Sequence, residues 1–268
     1  MQKPYQVAAD TFVIPMYVPI PDHGLAYLSA MVIRGKEPVL VETGSAVHRA
    51  EYFQAAFSIV EPKDVRWIFL SHDDRDHSGN LMQVLDHCPN ATLVTSFMAL
   101  GRLTEYQLPL KRMRWVNDGE SWSVGDRTLE AFTPPLFDGP GTRGLWDAKS
   151  GVYYSADCFG SLVPSECEEL GEIAREDWEH GFTFFNRVNF PWHQLADIAK
   201  LERVAERLRR LEPRTIVTAH GPYARGRSKE LFQCIIEVAK MKPFDLPGQK
   251  DLEAMLAKVV SRSDQGMV

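Results

Sequence analysis

The sequence contains little cysteine, no long hydrophobic run and no low-complexity segment. Four cysteines occur in 268 residues, at positions 88, 158, 167 and 234, and no two of them form a CxxC pair. This spacing indicates no disulfide framework, so reduced thiols are expected. The first residues lead into no apolar signal region, and no stretch approaches the ~20 consecutive apolar residues of a membrane span. We therefore expect a cytoplasmic protein that does not enter the membrane.

The chain also lacks a surplus of positive charge. It has 36 acidic and 30 basic residues, a net charge of −6, and the basic residues are scattered. This distribution disfavours nucleic acid as a partner. With 44% hydrophobic residues, a chain of this length can bury one large core or two layered cores without disulfides. We expect a single domain over residues 1–268, with a helical tail at about residues 228–262.

Hydrophobic periodicity predicts alternating strands and helices in the first half of the chain. Strands are predicted near residues 12–18, 25–33, 38–42, 65–70 and 91–95, with helices from about His48 to Pro62 and over residues 81–87. Short strands near 114–116, 122–124, 128–132 and 151–155 suggest an antiparallel meander. A long amphipathic helix is predicted over residues 194–211, followed by a buried strand over 215–218.

The most informative segment is residues 71–80, SHDDRDHSGN, which directly follows the apolar run 65–70. If the chain stays extended there, the period of two places His72 and Asp74 on one side, where they could share a metal. Asp76 and His77 are neighbours and can face a second metal only if the chain turns, which the following Ser-Gly-Asn allows. The alternative is a solvated acidic loop, but histidines interleaved with aspartates favour a metal site.

Two other predicted strands end at a residue of the metal-ligand type. Asp157 follows the strand near residues 151–155, and His220 follows the strand near 215–218. Each has an ordinary alternative reading, a turn aspartate for the first and a backbone-bonded histidine for the second. Since convergent strand ends are where α/β folds build sites, we expect both residues to join the first cluster.

These segments together resemble a known family. The HxDxDHSGN, SADCFG and TAHGP segments, in this order, resemble the metallo-β-lactamase fold over roughly residues 10–225. Within that fold they look most like the diiron domain of flavodiiron proteins and the related stand-alone oxygen-binding diiron proteins. The implied architecture is an α/β four-layered αβ/βα sandwich. Segment 38–44 matches the early strand and turn of the fold, although Glu42 stands where aspartate is usual.

The resemblance also implies a ligand set for two metals. One ion would be held by His72 and Asp74, the other by Asp76, His77 and His220. Asp157 would bridge the two, and Asp76 and Asp157 are the expected catalytic residues.

One family ligand is not matched. Where the family has another histidine, the segment PLFDGPGT places Asp138. Asp138 is therefore expected to complete a seven-residue shell, while an ordinary turn aspartate is the alternative. His23 lies in a loop that passes near the metals in this fold. We expect it to line the pocket, with an exposed turn as the alternative.

Two main functional hypotheses follow. Because the family's hydrolases have histidine where this chain has Asp74, and carboxylates favour harder metals, two iron ions are expected, with manganese or zinc as alternatives. The first hypothesis is a diiron protein that binds or reduces O₂ or nitric oxide. The second is a metal-dependent hydrolase of a small ester, thioester or phosphoester. A third reading is a non-enzymatic descendant that binds a partner or ligand.

The resemblance also bears on electrons and assembly. No phosphate-binding glycine loop follows His220, so no bound FMN and no flavodoxin domain are expected in this chain. Electrons would then come from a separate flavoprotein or rubredoxin-like donor. The resemblance also suggests a homodimer.

Overall fold

The computed structural model describes residues 3–21 and 23–264. Its strands are β1 (Tyr5–Ala8), β2 (Thr11–Ile14), β3 (Tyr17–Ile20), β4 (Gly24–Tyr27), β5 (Ala30–Ile33), β6 (Val39–Val41), β7 (Trp67–Phe69), β8 (Thr92–Thr95), β9 (Met113–Trp115), β10 (Ser121–Ser123), β11 (Thr128–Phe132), β12 (Gly144–Asp147), β13 (Val152–Tyr154), β14 (Thr215–Val217) and β15 (Ala224–Arg225). Its α-helices are α1 (Arg49–Ile59), α2 (Arg75–Ser78), α3 (Leu81–His87), α4 (Phe97–Arg102), α5 (Arg175–Asn189), α6 (Ile198–Arg209), α7 (Ser228–Lys240) and α8 (Gln249–Asp264). Short 3₁₀ turns span Ala46–His48, Pro62–Asp64, Leu110–Arg112, Leu170–Glu172 and Pro191–Leu195. None of the helices described is long and apolar enough to cross a membrane.

The strands form two mixed sheets and one hairpin. A seven-stranded sheet has the order β1-β2-β5-β6-β7-β8-β9, in which β6 to β9 run parallel. A six-stranded sheet has the order β10 to β15, with a parallel pair only between β13 and β14 among these strands. β3 and β4 pair with each other. The parallel pairs matter because they bring the carboxyl ends of neighbouring strands to one edge.

The two large sheets pack face to face. Along β6, Val39 and Val41 lie in the core between the sheets, whereas Leu40 packs in the cluster that includes α1 and α3. Along β14, Val217 lies between the sheets and Ile216 packs in the cluster that includes α5, α6 and α7. This alternation follows from the period-two direction of strand side chains. The result is four layers, helix, sheet, sheet and helix, as the sequence predicts.

The N-terminal strands are more divided than predicted. The predicted strand over residues 12–18 is wrong in its continuity, because Pro15 has no N–H for the ladder and separates β2 from β3. The predicted strand over 25–33 is likewise two strands. β4 pairs with β3, whereas β5 pairs with β2 and β6 in the large sheet. The chain leaves one sheet for the other between them, at residues 28–29.

The second half contains helices whose bounds the sequence did not indicate. The predicted helix over 194–211 begins later, at Ile198, where the Asp197 side chain accepts a hydrogen bond from the Lys200 backbone N–H. α5 and β12 were not predicted at all, although Trp178, Phe182 and the other buried residues of α5 recur at helical spacing. The helical tail consists of α7 and α8, separated by residues 241–248, which include two prolines.

Candidate metal centre

The ligand-type residues lie at the carboxyl ends of three strands. His72 follows β7, Asp157 follows β13 and His220 follows β14. The last two ends are tied together, because the Ala219 N–H donates to the carbonyl of Ala156 at 2.9 Å. Ala156 has a positive φ of 53°, a conformation that turns the chain sharply just before Asp157. The parallel pairing of β13 and β14 therefore delivers two of the predicted residues to one place.

The segment after β7 turns at Asp76 and His77, as it must if both side chains are to face one metal. α2 is a single helical turn that starts directly after Asp74, and the His77 N–H donates to the Asp74 carbonyl at 3.0 Å. The His77 carbonyl in turn accepts from the Thr43 N–H at 2.8 Å, which anchors the turn to the loop after β6. This turn lets the adjacent Asp76 and His77 side chains face the same space. Asp73 lies apart and pairs with Arg102 at 3.4 Å.

The loop between β11 and β12 brings Asp138 to the same edge. It is fastened by the Arg143 N–H, which donates to the Ser71 carbonyl at 3.0 Å. Asp138 Oδ2 lies 3.9 Å from His72 Nε2. Asp138, which stands where the resemblance leads us to expect a histidine, is thus inside the cluster.

The seven predicted residues form two triads around one carboxylate. In the first triad, ligand-type atoms of His72, Asp74 and Asp138 lie within 4.8 Å of one another. In the second, those of Asp76, His77 and His220 do the same.

Asp157 lies between the triads. Its Oδ1 is 3.7 Å from His72 Nε2 and 2.9 Å from His77 Nε2. Its Oδ2 is 3.0 Å from His220 Nε2. One carboxylate therefore reaches imidazoles of both triads, as a bridging group must.

Several of these atoms make no hydrogen bond of acceptable geometry among the described residues, although His77 Nε2 and Asp157 Oδ1 lie 2.9 Å apart as an ion pair. They are buried and of the metal-ligand type: His72 Nε2, His77 Nε2, Asp138 Oδ2 and Asp157 Oδ1. Burying a polar atom without a partner is costly, so such atoms normally indicate something missing from the protein alone. Four of them converging on one space fit a pair of metal ions. The residues present therefore fit a dinuclear metal centre.

Exposure differs between the side chains of the cluster. The side chains of His72, His77 and Asp157 are 3%, 2% and 6% exposed, whereas Asp74 is 48% and Asp76 is 29% exposed. The imidazoles and the central carboxylate thus form a buried floor, and the aspartates of segment 71–80 form a rim. Asp74 and Asp76 therefore lie on the side of the cluster that is open to solvent.

The charges of the cluster perturb one another strongly. Burial would lower the pKa of His220, but Asp157 and Asp76 outweigh it and raise that pKa to about 9. Burial and the neighbouring Asp157 raise the pKa of Asp138 to about 7. Burial alone would raise the pKa of Asp157, yet the surrounding imidazoles hold it well below its ordinary value. Without a cation the cluster therefore retains protons, which a bound metal would displace.

Each histidine has a partner for its second ring nitrogen. His220 Nδ1 lies 2.6 Å from the Tyr27 carbonyl, to which it donates, so Nε2 is the ring nitrogen that faces the cluster. His72 Nδ1 lies 2.9 Å from Ser71 Oγ. His77 Nδ1 faces Glu42, whose Oε2 is 3.6 Å away. Such partners fix the orientation of histidines that bind metals.

Two residues at the centre were not assigned a role from the sequence. Glu42 is 1% exposed and its carboxylate accepts from the Ser71 N–H at 3.2 Å. Its departure from the usual aspartate was the available signal. Asn189, at the end of α5, donates to Asp138 Oδ1 at 2.8 Å and to Asp157 Oδ2 at 3.3 Å. Nothing in the sequence indicated Asn189, because its helix was not predicted.

His23 lies outside the cluster. It lines a cavity of about 560 Å³, stacks on Phe184 with ring centroids 4.7 Å apart, and is exposed. None of the seven cluster residues is among the described residues that line this cavity. The structure thus places His23 in a pocket, but a pocket separate from the two triads.

The fold and the clustered strand ends define a metallo-β-lactamase-fold protein with a candidate dinuclear centre. More particularly, the chain belongs to the family described as ODP family beta lactamase, whose model matches residues 25–221. Type A flavoprotein fprA of Rhodobacter capsulatus is 28% identical over 227 residues, which are 78% of this chain and 47% of that protein. The chain spans about half the length, or less, of the curated relatives it matches.

Solved structures confirm the expected fold. Rubredoxin oxygen:oxidoreductase from Desulfovibrio gigas superposes with a TM-score of 0.80 at 19% identity, over 90% of this chain and 63% of that one. The flavodiiron protein from Giardia intestinalis gives a TM-score of 0.77 at 17% identity, over 90% and 60%. The predicted resemblance to flavodiiron cores is therefore confirmed.

Proposed function

We propose that this protein is a non-haem diiron protein that binds or reduces O₂ or nitric oxide with electrons from a separate donor. The observation that carries the proposal is the pair of triads joined by Asp157, with four buried ligand-type atoms that make no hydrogen bond among the described residues. The names of similar proteins, a rubredoxin oxygen:oxidoreductase and a flavodiiron protein, support the same chemistry.

The seven clustered residues are the proposed ligands. The first ion would be held by His72, Asp74 and Asp138, and the second by Asp76, His77 and His220, with Asp157 shared. Bound in this way, two ferrous ions supply the electrons and the Lewis acidity with which a small gas molecule is bound and reduced.

The donor set supports iron over zinc. The first triad has one imidazole and two carboxylates, and oxygen donors suit harder cations. A zinc hydrolase, the alternative, typically uses a histidine-rich site. The three histidines present are each oriented through their second nitrogen, and the partly exposed Asp74 and Asp76 form the side from which a small molecule enters.

Electron supply and assembly are part of the proposal. We propose that this chain binds no FMN and receives electrons from a separate flavoprotein or rubredoxin-like protein. A homodimer is proposed on the family resemblance alone. The absence of flavin absorption from the purified protein and its size in solution are the corresponding measurements.

The test is anaerobic reconstitution with ferrous iron, followed by metal analysis and exposure to limiting O₂ or nitric oxide with a reduced donor. We expect two irons per chain and donor-dependent gas consumption. His220→Ala should reduce the iron content to one ion per chain and abolish gas consumption, whereas His180→Ala, at an exposed histidine outside the triads, should change neither. Two zinc ions together with esterase or thioesterase turnover, and no gas consumption, would overturn the proposal.

A further inference from the structure

We infer that Asn189 is a positioning residue that selects which oxygen of Asp138 faces the first metal. This inference rests on the proposed function, because it assumes that His72, Asp74 and Asp138 hold an ion. Asn189 belongs to neither triad. It lies at the end of α5, which approaches the cluster from the helical layer over the six-stranded sheet.

The two oxygens of Asp138 have different surroundings. Oδ1 accepts a hydrogen bond of 2.8 Å from Asn189 Nδ2. Oδ2 is buried, has no hydrogen-bond partner among the described residues, and belongs to the first triad. With Oδ1 held, rotation of the carboxylate is restricted, and Oδ2 is directed to the space shared with His72 and Asp74.

Asp138 requires such help because of where it lies. Its side chain is short, it is followed by Gly139 and Pro140 in a loop, and its carboxylate must approach the negative Asp157. The same Asn189 amide donates to Asp157 Oδ2 at 3.3 Å, so one neutral donor links the two carboxylates. A neutral amide offsets part of their repulsion without supplying a positive charge that would compete with a metal.

The hydrogen bond from Asn189 also accounts for how Asp138 can serve where the family resemblance leads us to expect a histidine. Asp138 alone is a shorter and freer ligand than an imidazole. Asp138 and Asn189 together form a unit in which the amide supplies the orientation that the aspartate lacks. Residues that orient ligands in this way typically change metal affinity about 10–100-fold when removed.

The experiment is a calorimetric titration of the metal-free full chain with ferrous iron under anaerobic conditions. Asp138→Ala and His220→Ala identify the binding steps of the first and second sites. Asn189→Ala should weaken the first step about 10–100-fold and the second step less, because the bond of Asn189 to Asp157, which the two sites share, is the longer of its two bonds. Asn189→Leu, which keeps the number of side-chain heavy atoms but has no donor, should weaken the first step in the same way. Asn90→Ala removes a single hydrogen bond from an exposed asparagine to Lys63 and serves as the matched control.

A second background separates positioning from general structural support. In an Asp138→His background the imidazole offers a ligand atom that does not depend on the amide. Asn189→Ala should then weaken the first step by no more than about twofold. Circular dichroism and thermal melting of the metal-free variants check that each one folds; if Asn189→Ala does not, Asn189→Leu provides the test.

The outcomes distinguish this inference from the proposed function. Two tight steps in wild type with no change in the Asn189 variants overturn the positioning role and leave the diiron proposal standing. An equal loss in the wild-type background and in the Asp138→His background also overturns it, since the effect would then not act through the carboxylate. A wild-type chain that takes up fewer than two ions contradicts the proposed function, and the role of Asn189 falls with it.

Discussion

Replacement of Glu42 by glutamine is the sharpest single test of how the second triad is held. The Glu42 carboxylate is buried, accepts from the Ser71 N–H at 3.2 and 3.3 Å, and lies 3.6 Å from His77 Nδ1. Glutamine keeps the size and one acceptor for Ser71 but removes the negative charge that faces the imidazole. The substitution therefore perturbs the orientation and basicity of His77 more than the packing.

The expected effect is confined to the second site. Losing a carboxylate partner of a ligating histidine typically costs about 10–100-fold in metal affinity, which corresponds to about 1.4–2.7 kcal/mol. We expect the second step of an anaerobic ferrous-iron titration to weaken by this amount and the first step to stay within about twofold. Thermal melting of the metal-free variant should change little, because the Ser71 N–H retains an acceptor.

Glu37→Gln is the matched control. Glu37 precedes β6, and its Oε2 accepts from Trp67 Nε1 at 2.8 Å, outside the cluster. Glu37→Gln should leave both steps of the ferrous-iron titration unchanged. If Glu42→Gln also leaves both steps unchanged, or weakens both equally, the assignment of Glu42 as the partner of His77 is wrong.

Three further results are expected. Asp138→Ala should reduce the metal content from two ions to one per chain, and an unchanged count and spectrum would remove Asp138 from the shell. Arg127→Met should destabilise the fold by about 3–5 kcal/mol in denaturant melts at pH 7, because it leaves the buried Asp147, 2.9 Å away, without its cation. Arg127 lowers the pKa of Asp10 and Asp126. Its contribution to the free energy of unfolding is therefore present above about pH 4 and is lost as the pH falls through the lowered pKa values. The difference in stability between Arg127→Met and wild type should shrink in acid, and a difference that stays constant would contradict this. Chelation should lower the melting temperature of the iron-loaded protein, because metal bound only to the folded chain adds about 4 kcal/mol at a thousand times Kd; an unchanged temperature would mean that the ions do not bind the folded state selectively.

The sequence could predict most strands and their ends because both depend on local patterns, whereas the four layers were implied by the family resemblance. Short apolar runs bounded by breakers indicate β6, β7, β8 and β14, and ligand-type residues directly after such strands stand out from an apolar background. Which of these ends meet depends on the sheet order, which local periodicity does not contain. The family resemblance supplied that order, and the seven predicted side chains do lie together in the structure.

The supporting residues could not be predicted for a different physical reason. Glu42 and Asn189 are common residue types whose roles arise from contacts across the fold, 29 residues away from Ser71 in the first case and 51 away from Asp138 in the second. α5 itself was not predicted, so the position of its last residue could not be inferred. Side chains that orient a ligand leave weaker sequence patterns than the ligands themselves.

The two triads also differ in a way that determines which site should be weaker. The second has two buried imidazoles, His77 and His220, whose second nitrogens face Glu42 and the carbonyl of a buried tyrosine. The first has one imidazole, an aspartate that is 48% exposed and another, Asp138, held through a single amide. An exposed carboxylate is well hydrated and gains less from binding a cation than a buried one. In the proposed diiron protein, the first site should therefore fill last and empty first. The Asp138–Asn189 pair would then lie at the site from which metal is most easily lost.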